Sequence, residues 1–380
     1  MKKPFSFLFL LLAGLVVLLT ASCNNDSDPA PSEVMEEPEP DPPPVTPTTF
    51  DREAMLQNIG EAVLIPFHEA FVAEVASLDS VAAVFASDPT EANLMAIQAQ
   101  WLDTKKSWKQ CEVFEILDVK DNFLHNRIDK WPTNQNFLNR NVSGTDELTE
   151  AFVEGSGSTS KGLPALEFLL FTEVGLTDFT SDSLATRRLT YIKAMTENLA
   201  VRSANLLEVW ENELPEFISG TENFSKGSLN QLLNSQVGLL EEIINNKLGK
   251  PLGKNNGGRI QPDEAEAFTS QLSLPLIEEN LKGLKASYEG DISKEGLDDL
   301  LDFLEAKQED TDLSEAISSQ FDMCFEKLAL ISEPLSIAVD SQNQAVEDLY
   351  QSVRDLLASF KVDAANNLGI LITFNDTDGD

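Results

Sequence analysis

Apolar residues recur at three- and four-residue steps over most of the chain after residue 50. The pattern covers residues 53–79, 91–116, 183–213, 228–248, 263–289, 309–333 and 339–361. This spacing places the apolar side chains on one face of an α-helix. Clusters of proline, glycine and asparagine separate the segments, and residues 368–374 alone have the pattern of an extended strand.

These segments predict an all-α fold. A helix with one apolar face must bury that face against other helices, and roughly four long helices can do so in one up-and-down bundle. The chain has enough segments for two such bundles. We therefore predict two packed helical-bundle domains, an N-terminal one over residues 51–215 and a C-terminal one over residues 216–380.

The N-terminal residues predict a lipoprotein. Lys2 and Lys3 precede an apolar run that ends in "LTASC", which resembles a lipobox with Cys23 as the acylated residue. Residues 1–22 would then be the signal peptide and residues 23–50 an acidic, proline-rich tether. The alternative is an ordinary cleaved signal peptide. The lipoprotein prediction places the body in the bacterial cell envelope, lipid-anchored at the outer membrane on its periplasmic or surface face.

The charge of the chain excludes one class of partner. The formal net charge of −37 repels nucleic-acid phosphates, so nucleic acid is not a partner. Cys111 and Cys324 each lie on an apolar helical stripe. We predict that both are buried free thiols, the alternative being a disulfide between them.

Common catalytic motifs are absent from the sequence. Its two histidines, His68 and His125, have no second histidine at the four-residue spacing that a zinc-protease helix requires, because Val72 stands where the partner of His68 would be. No G-x-S-x-G motif occurs. Zinc held by protein histidines is therefore disfavoured.

Carboxylates in apolar surroundings are the remaining candidates. Glu115 continues the heptad spacing of Trp101 and Trp108, and Glu112 lies one turn beyond Trp108. A buried carboxylate is costly unless it is paired or binds a cation.

A short loop adds further charged residues. The segment "NRIDKWPTN" brings together Arg127, Asp129, Lys130 and Trp131. Either these residues close the end of a bundle as an ion-pair network, or they form the wall of a pocket.

A series of segments resembles the imelysin-like proteins, bacterial envelope proteins named for an insulin-cleaving membrane protease. In chain order they are "IPFHEAF", "KKSWKQCEVFEI", "IDKWP", "KGLPALEFLLF", "RRLTYIKAM", "GKPLGKNNGG" and "LGILITFNDTDGD". The resemblance covers residues 51–375. It implies two helical bundles with "KGLPALEFLLF" near their junction, a connection with iron uptake, and a metallopeptidase activity attached to the family name.

One position departs from the family signature, which is G-x-H-x-x-E. Gly162 and Glu167 match, but Pro164 occupies the histidine position and has no ligand atom. Proline suits the first position of a helix, and a carboxylate in the first turn is stabilised by the helix dipole. We therefore expect Glu167 to stay ionised, either as a helix-start acid or as a pocket residue.

We predict a non-enzymatic, imelysin-like envelope lipoprotein that binds a ligand or partner connected with iron uptake, in a pocket between two bundles. Carboxylates without histidines suit iron or another hard divalent cation, with Glu167 and Glu112 as candidate metal ligands. The alternatives are a metallopeptidase with a non-standard site and a scaffold for an outer-membrane transporter or receptor. The candidate ligand-binding residues are Gly162, Pro164, Glu167, Glu112, Glu115, Asp129, Trp131 and Arg127.

Overall fold

The computed structural model describes residues 49–373, apart from residues 182 and 223. The predicted signal peptide, Cys23 and the tether up to residue 48 lie outside these residues and stay predictions. From Thr49 onward the chain forms one compact unit.

Helices account for nearly all the regular structure of the described residues, so the all-α prediction is confirmed. In chain order the α-helices are α1 Arg52–Ile59, α2 Ile65–Ser87, α3 Glu91–Cys111, α4 Leu117–Asp121, α5 Gln135–Ser143, α6 Glu150–Glu154, α7 Gly162–Leu170, α8 Thr177–Thr180, α9 Ala185–Ser219, α10 Ser228–Glu242, α11 Ser273–Glu289, α12 Leu297–Phe303, α13 Leu313–Ala329, α14 Leu335–Ser341, α15 Asn343–Ala358 and α16 Ala365–Leu368. A two-stranded antiparallel hairpin, β1 Lys307–Gln308 and β2 Thr311–Asp312, precedes α13.

Three π-helical segments interrupt or extend these helices. They are Gly60–Leu64 between α1 and α2, Ile243–Gly249 after α10, and Ser359–Ala364 between α15 and α16. A π-helical turn changes the direction in which the following side chains point and is often found at functional sites.

Helix α3 lies at the centre of the packing. It contacts α2 on one side and α11 on the other, and α2 also packs along α9. Gly283 allows the close approach of α11, because a Cβ atom there would lie 2.6 Å from the carbonyl oxygen of Gln110. The side chains of Trp101 and Trp108 are buried in this core.

The division into two bundles at residue 215 stays a prediction. Helix α9 runs through that position to Ser219 and has Pro215 inside it. Cys111 and Cys324 are free and buried, as expected from their apolar stripes.

Candidate functional site

A buried lysine, Lys109, lies at the C-terminal end of α3. The Nζ atom of Lys109 is 2.5 Å from Glu112 Oε1, 2.6 Å from Asp129 Oδ2 and 2.7 Å from Glu266 Oε1. An ammonium group has three donors, so three carboxylates use all of them. Lys109 is therefore the centre of a buried ion-pair network.

Two more lysines complete this network. Lys105 Nζ lies 3.3 Å from Asp129 Oδ1 and 3.2 Å from Glu266 Oε1. Lys247 Nζ lies 3.2 Å from Glu112 Oε2 and 3.2 Å from Glu266 Oε2. With Lys109, this makes three ammonium groups and three carboxylates, so the charges balance.

The network keeps Glu266 and Lys109 ionised despite burial. Burial alone would raise the pKa of Glu266, but Lys109, Lys247 and Lys105 hold it well below its ordinary value. Burial would likewise lower the pKa of Lys109, but Asp129 and the other carboxylates raise it well above its ordinary value. Removing charges from water is costly, and each pair offsets this cost only while its partners are present.

The network forms part of the lining of a cavity of about 260 Å³. The network residues that line it are Lys109, Glu112, Asp129, Lys247 and Glu266. The remaining charged and aromatic lining residues are Glu115, Lys120, His125, Lys130, Trp131 and Glu242. One part of the cavity lining is therefore a set of ion pairs with no net charge, and the other part consists of further charged and aromatic side chains.

Local backbone structure explains how distant residues reach this cavity. Helix α3 ends at Cys111 and continues as a 3-10 turn, Glu112–Phe114. On the opposite side, α10 ends at Glu242 and the π-helical segment Ile243–Gly249 presents Lys247. Lys247 also donates to Asn280 Oδ1 on α11 at 2.6 Å, so three helical segments meet at the network.

Glu115 and His125 face each other in the cavity, with 3.5 Å between Glu115 Oε2 and His125 Nε2. Burial, followed by the charge of Glu112, raises the pKa of Glu115 to about 8. About a third of this side chain is exposed, and it is part of the cavity lining. Burial, followed by the charge of Lys130, lowers the pKa of His125 to about 4. At neutral pH the pair is therefore a protonated carboxyl beside a neutral imidazole.

Replacing Glu115 with glutamine is expected to change how stability depends on pH. The carboxyl of Glu115 has a pKa of about 8 in the folded protein and an ordinary value of 4.5 in the unfolded chain. Between these two pH values the folded protein therefore holds a proton at Glu115 that the unfolded chain has released. The free energy of unfolding therefore falls as the pH rises from about 4.5 to about 8, and this part of the slope disappears in Glu115→Gln.

Urea unfolding between pH 4 and pH 9 measures this difference. The exposed substitution Glu69→Gln serves as the control and should leave the slope as in the parent protein. Parallel curves for the parent and Glu115→Gln would contradict the assignment.

The segment with the family signature lies beside the network. Gly162 has φ +72° and begins α7, and Leu163 N donates to Ile128 O at 2.8 Å. Pro164 is the third residue of this helix rather than the first. The N–H groups of the first four helical residues have no partner within the helix, so proline costs no hydrogen bond at the third position either. Trp101 Nε1 on α3 donates to Leu163 O at 2.9 Å, which fixes the segment to the core.

That Glu167 stays ionised with the help of the helix dipole stays a prediction. This residue lies in the second turn of α7 and is buried. Burial raises the pKa of Glu167 above its ordinary value, although Lys105 and two hydrogen bonds from Ser270 oppose the shift. The carboxylate accepts from both N and Oγ of Ser270 at 2.9 Å, so it holds the loop before α11.

The structure brings some predicted site residues together and separates others. Glu112, Glu115, Asp129 and Trp131 line the cavity. Pro164 and Glu167 line a neighbouring pocket that also includes Trp131. Both interpretations of "NRIDKWPTN" are correct in part. Asp129 belongs to the ion-pair network, and Trp131 is part of the cavity wall.

Arg127 does not line the cavity. Its Nη1 atom lies 3.4 Å from Glu154 Oε1, and its side chain is 42% exposed. Lysines pair with Glu112 and Asp129, so neither of these two candidate residues is a free carboxylate.

A metal at Glu112 and Glu167 stays a prediction. Within the described part of the chain, no group of three or more histidine, cysteine, aspartate or glutamate side chains could hold a metal ion. Both oxygens of Glu112 already accept from lysines, so a cation there would have to displace ammonium groups.

Sequence reasoning missed the lysines and Glu266. Lys105 and Lys109 lie on the same helical face as Trp101 and Trp108, a face otherwise suited to the core. Lysines on an otherwise apolar helical face indicate that carboxylates are buried beside them. The sequence therefore carries a signal for these two lysines. Glu266 gave no comparable local signal.

His68 lies in the core rather than in the cavity. Its Nδ1 atom is 2.8 Å from Leu64 O, and its ring packs near those of Phe114 and Trp210. Burial lowers the pKa of His68 to about 4, so it is a neutral core residue.

Comparisons with known proteins agree with this architecture. The model of the Imelysin family matches residues 64–360. An imelysin-like protein from Psychrobacter arcticum 273-4 superposes with a TM-score of 0.70 and 19% identity, over 85% of this chain and 97% of that one. A putative iron-regulated protein A precursor from Parabacteroides distasonis ATCC 8503 gives a TM-score of 0.69 and 16% identity, over 85% and 96%. No curated protein matches the chain.

The two structures share the fold of this chain, and the family match extends over most of its length. The chain belongs to the imelysin family.

Proposed function

We propose that this protein is a cell-envelope lipoprotein that binds a small polar ligand in its cavity, without catalysis, in connection with iron acquisition. The cavity carries the proposal. Its lining offers carboxyl, imidazole, ammonium and indole groups around about 260 Å³ of space, next to ion pairs that are already satisfied. A preformed cavity on which polar groups converge is a candidate ligand site, and the many polar groups here suit a polar ligand.

The protonation states favour binding over hydrolysis. At neutral pH the carboxyl of Glu115 holds a proton, so it donates a hydrogen bond rather than acting as a base. Each of the three buried lysines is held by carboxylates. Burial lowers the pKa of Lys105 and Lys109, but the carboxylates outweigh it and raise the pKa above its ordinary value, which disfavours a nucleophilic role for these two. Groups of this kind can recognise a polar molecule and hold it in one orientation.

The proposed connection with iron acquisition rests on a structural neighbour rather than on the cavity. The structure from Parabacteroides distasonis is described as a putative iron-regulated protein A precursor. We extend this association to the present chain. The "LTASC" segment supports an envelope location, with Cys23 carrying the lipid and an iron-uptake transporter or receptor as a possible partner in the membrane.

Binding is tested by calorimetry of the full chain with ferric citrate, and separately with Ca²⁺ and Mg²⁺ alone. We expect saturable binding of one of these probes and a loss of about tenfold in affinity in Glu115→Ala, which removes the carboxyl group altogether. The control Glu69→Ala should bind as the parent does. If all the probes fail, or if Glu115→Ala binds as tightly as the parent, the cavity does not have the proposed role.

A metallopeptidase is the second candidate, since Glu115 and His125 lie side by side in the cavity. A carboxyl group and an imidazole at this spacing could serve a water-activating site once a bound cation had displaced the proton of Glu115. Peptide cleavage that stops on addition of a chelator and returns with metal would favour this candidate over simple binding.

A further inference from the structure

A second concave surface lies on the other side of Trp131 from the cavity. It consists of a depression of about 600 Å³ and an adjoining pocket of about 190 Å³. Both are lined by Gln135, Phe168, Phe268 and Thr269, so we treat them as one aromatic groove.

Aromatic side chains give the groove its apolar surface. Phe168 and Phe171, at the end of α7, line it together with Phe268, and Trp131 lines the adjoining pocket. Phe268 is 44% exposed, so its ring is accessible to a ligand. These rings offer flat faces to a ligand.

The loop that carries Phe268 is held in a fixed conformation. Ala267 and Gln271 on either side of it adopt φ +53° and +61°, a region that side chains other than glycine rarely occupy. The carboxylate of Glu167 accepts two hydrogen bonds from Ser270 in the same loop. A positive φ at such residues is a strained backbone conformation, which persists only where surrounding contacts hold it. Strained residues are common at binding sites.

The polar groups of the groove are mostly uncharged. Gln135, Asn139, Thr269 and Gln271 are exposed along it. Amides and hydroxyls can both donate and accept hydrogen bonds, so they match partners that also do both.

The charged groups of the groove disfavour an anionic ligand. The guanidinium of Arg188 donates to Asp178 O at 2.8 Å and lies 3.6 Å from a carboxylate oxygen of the same residue. The remaining titratable groups of the lining are acidic: Glu167, which is buried, and Glu173, Asp263 and Glu264. An anion would meet repulsion here without a compensating free cation.

We propose that the aromatic groove binds a neutral oligosaccharide. The C–H faces of sugar rings are apolar and fit against the phenylalanine rings, and sugar hydroxyls both donate and accept, as the amides and threonine do. The absence of charge on the ligand agrees with the acidic rim. This site is separate from the cavity, so its test does not depend on the ligand proposed there.

Calorimetry of the full chain with three uncharged hexasaccharides, maltohexaose, cellohexaose and N-acetylchitohexaose, tests this site. At least one should bind at one site per chain, and Phe268→Ala should weaken it by about tenfold or more. Phe224→Ala is the matched control because Phe224 is 52% exposed outside the groove. It should change the affinity by less than about twofold.

Two results would overturn the proposal. One is that none of the three hexasaccharides binds. The other is that Phe268→Ala, with helical content unchanged by circular dichroism, binds as the parent does. A proline-rich peptide is included because such peptides dock in aromatic grooves. If it binds in a Phe268-dependent way while all the sugars fail, the groove recognises a peptide instead.

Discussion

Replacing Lys109 with methionine is expected to lower the free energy of unfolding by about 3–5 kcal/mol. Methionine fills much of the same space but removes the ammonium group that contacts Glu112, Asp129 and Glu266. Two lysines would then face three buried carboxylates. An uncompensated charge in the interior costs far more than the ion pair itself contributes. Urea unfolding at neutral pH measures the change.

A surface lysine provides the control. Lys282 contacts Glu278 and Glu279, but its side chain is 43% exposed. Lys282→Met should therefore change stability by less than about 1 kcal/mol.

A double variant separates charge balance from packing. Lys109→Met with Glu266→Gln leaves two lysines and two carboxylates in the network, so it should recover part of the loss. A loss below about 1 kcal/mol in the single variant would contradict the picture of a buried, ionised network.

The helical fold could be predicted because local spacing determines it. Helix α3 begins where the sequence indicates, since the side chain of Thr90 accepts from Asn93 N and caps the first turn. Its apolar stripe then meets α2 and α11. Periodicity gives the buried face of each helix without knowledge of its partners.

The predicted helix over residues 263–289 is wrong in its first part. Helix α11 begins at Ser273, and the preceding residues form a loop in which Ala267 and Gln271 have positive φ. Glu266 is buried there against three lysines. Tertiary contacts rather than local spacing fix this loop, so periodicity could not reveal it.

The candidate site could be predicted only in part for the same reason. Glu112 stands out in the sequence by its apolar surroundings and Asp129 by its place in a charged loop, and both belong to the network. Lys247 reaches Glu112 across 135 residues of sequence. Pairings at this separation depend on how helices pack, and a single sequence carries no spacing rule for them.

Replacing Gly162 with alanine is expected to destabilise the protein by about 2–5 kcal/mol. The glycine has φ +72°, which costs an alanine conformational energy. The added Cβ would also lie 2.1 Å from Ile128 O, so the loop that carries Asp129 and Trp131 would have to move. Because Leu163 N bonds to the same carbonyl, that hydrogen bond should weaken as well. Thermal and urea unfolding both report the loss.

Gly157→Ala is the matched control for this substitution. Gly157 lies in the same approach to α7 with φ −63°, and a Cβ atom there meets no heavy atom within 4 Å. It should leave stability within about 1 kcal/mol of the parent or raise it slightly, because alanine restricts the unfolded chain. Equal effects of the two substitutions would show that the close approach at Ile128 does not hold the signature segment in place.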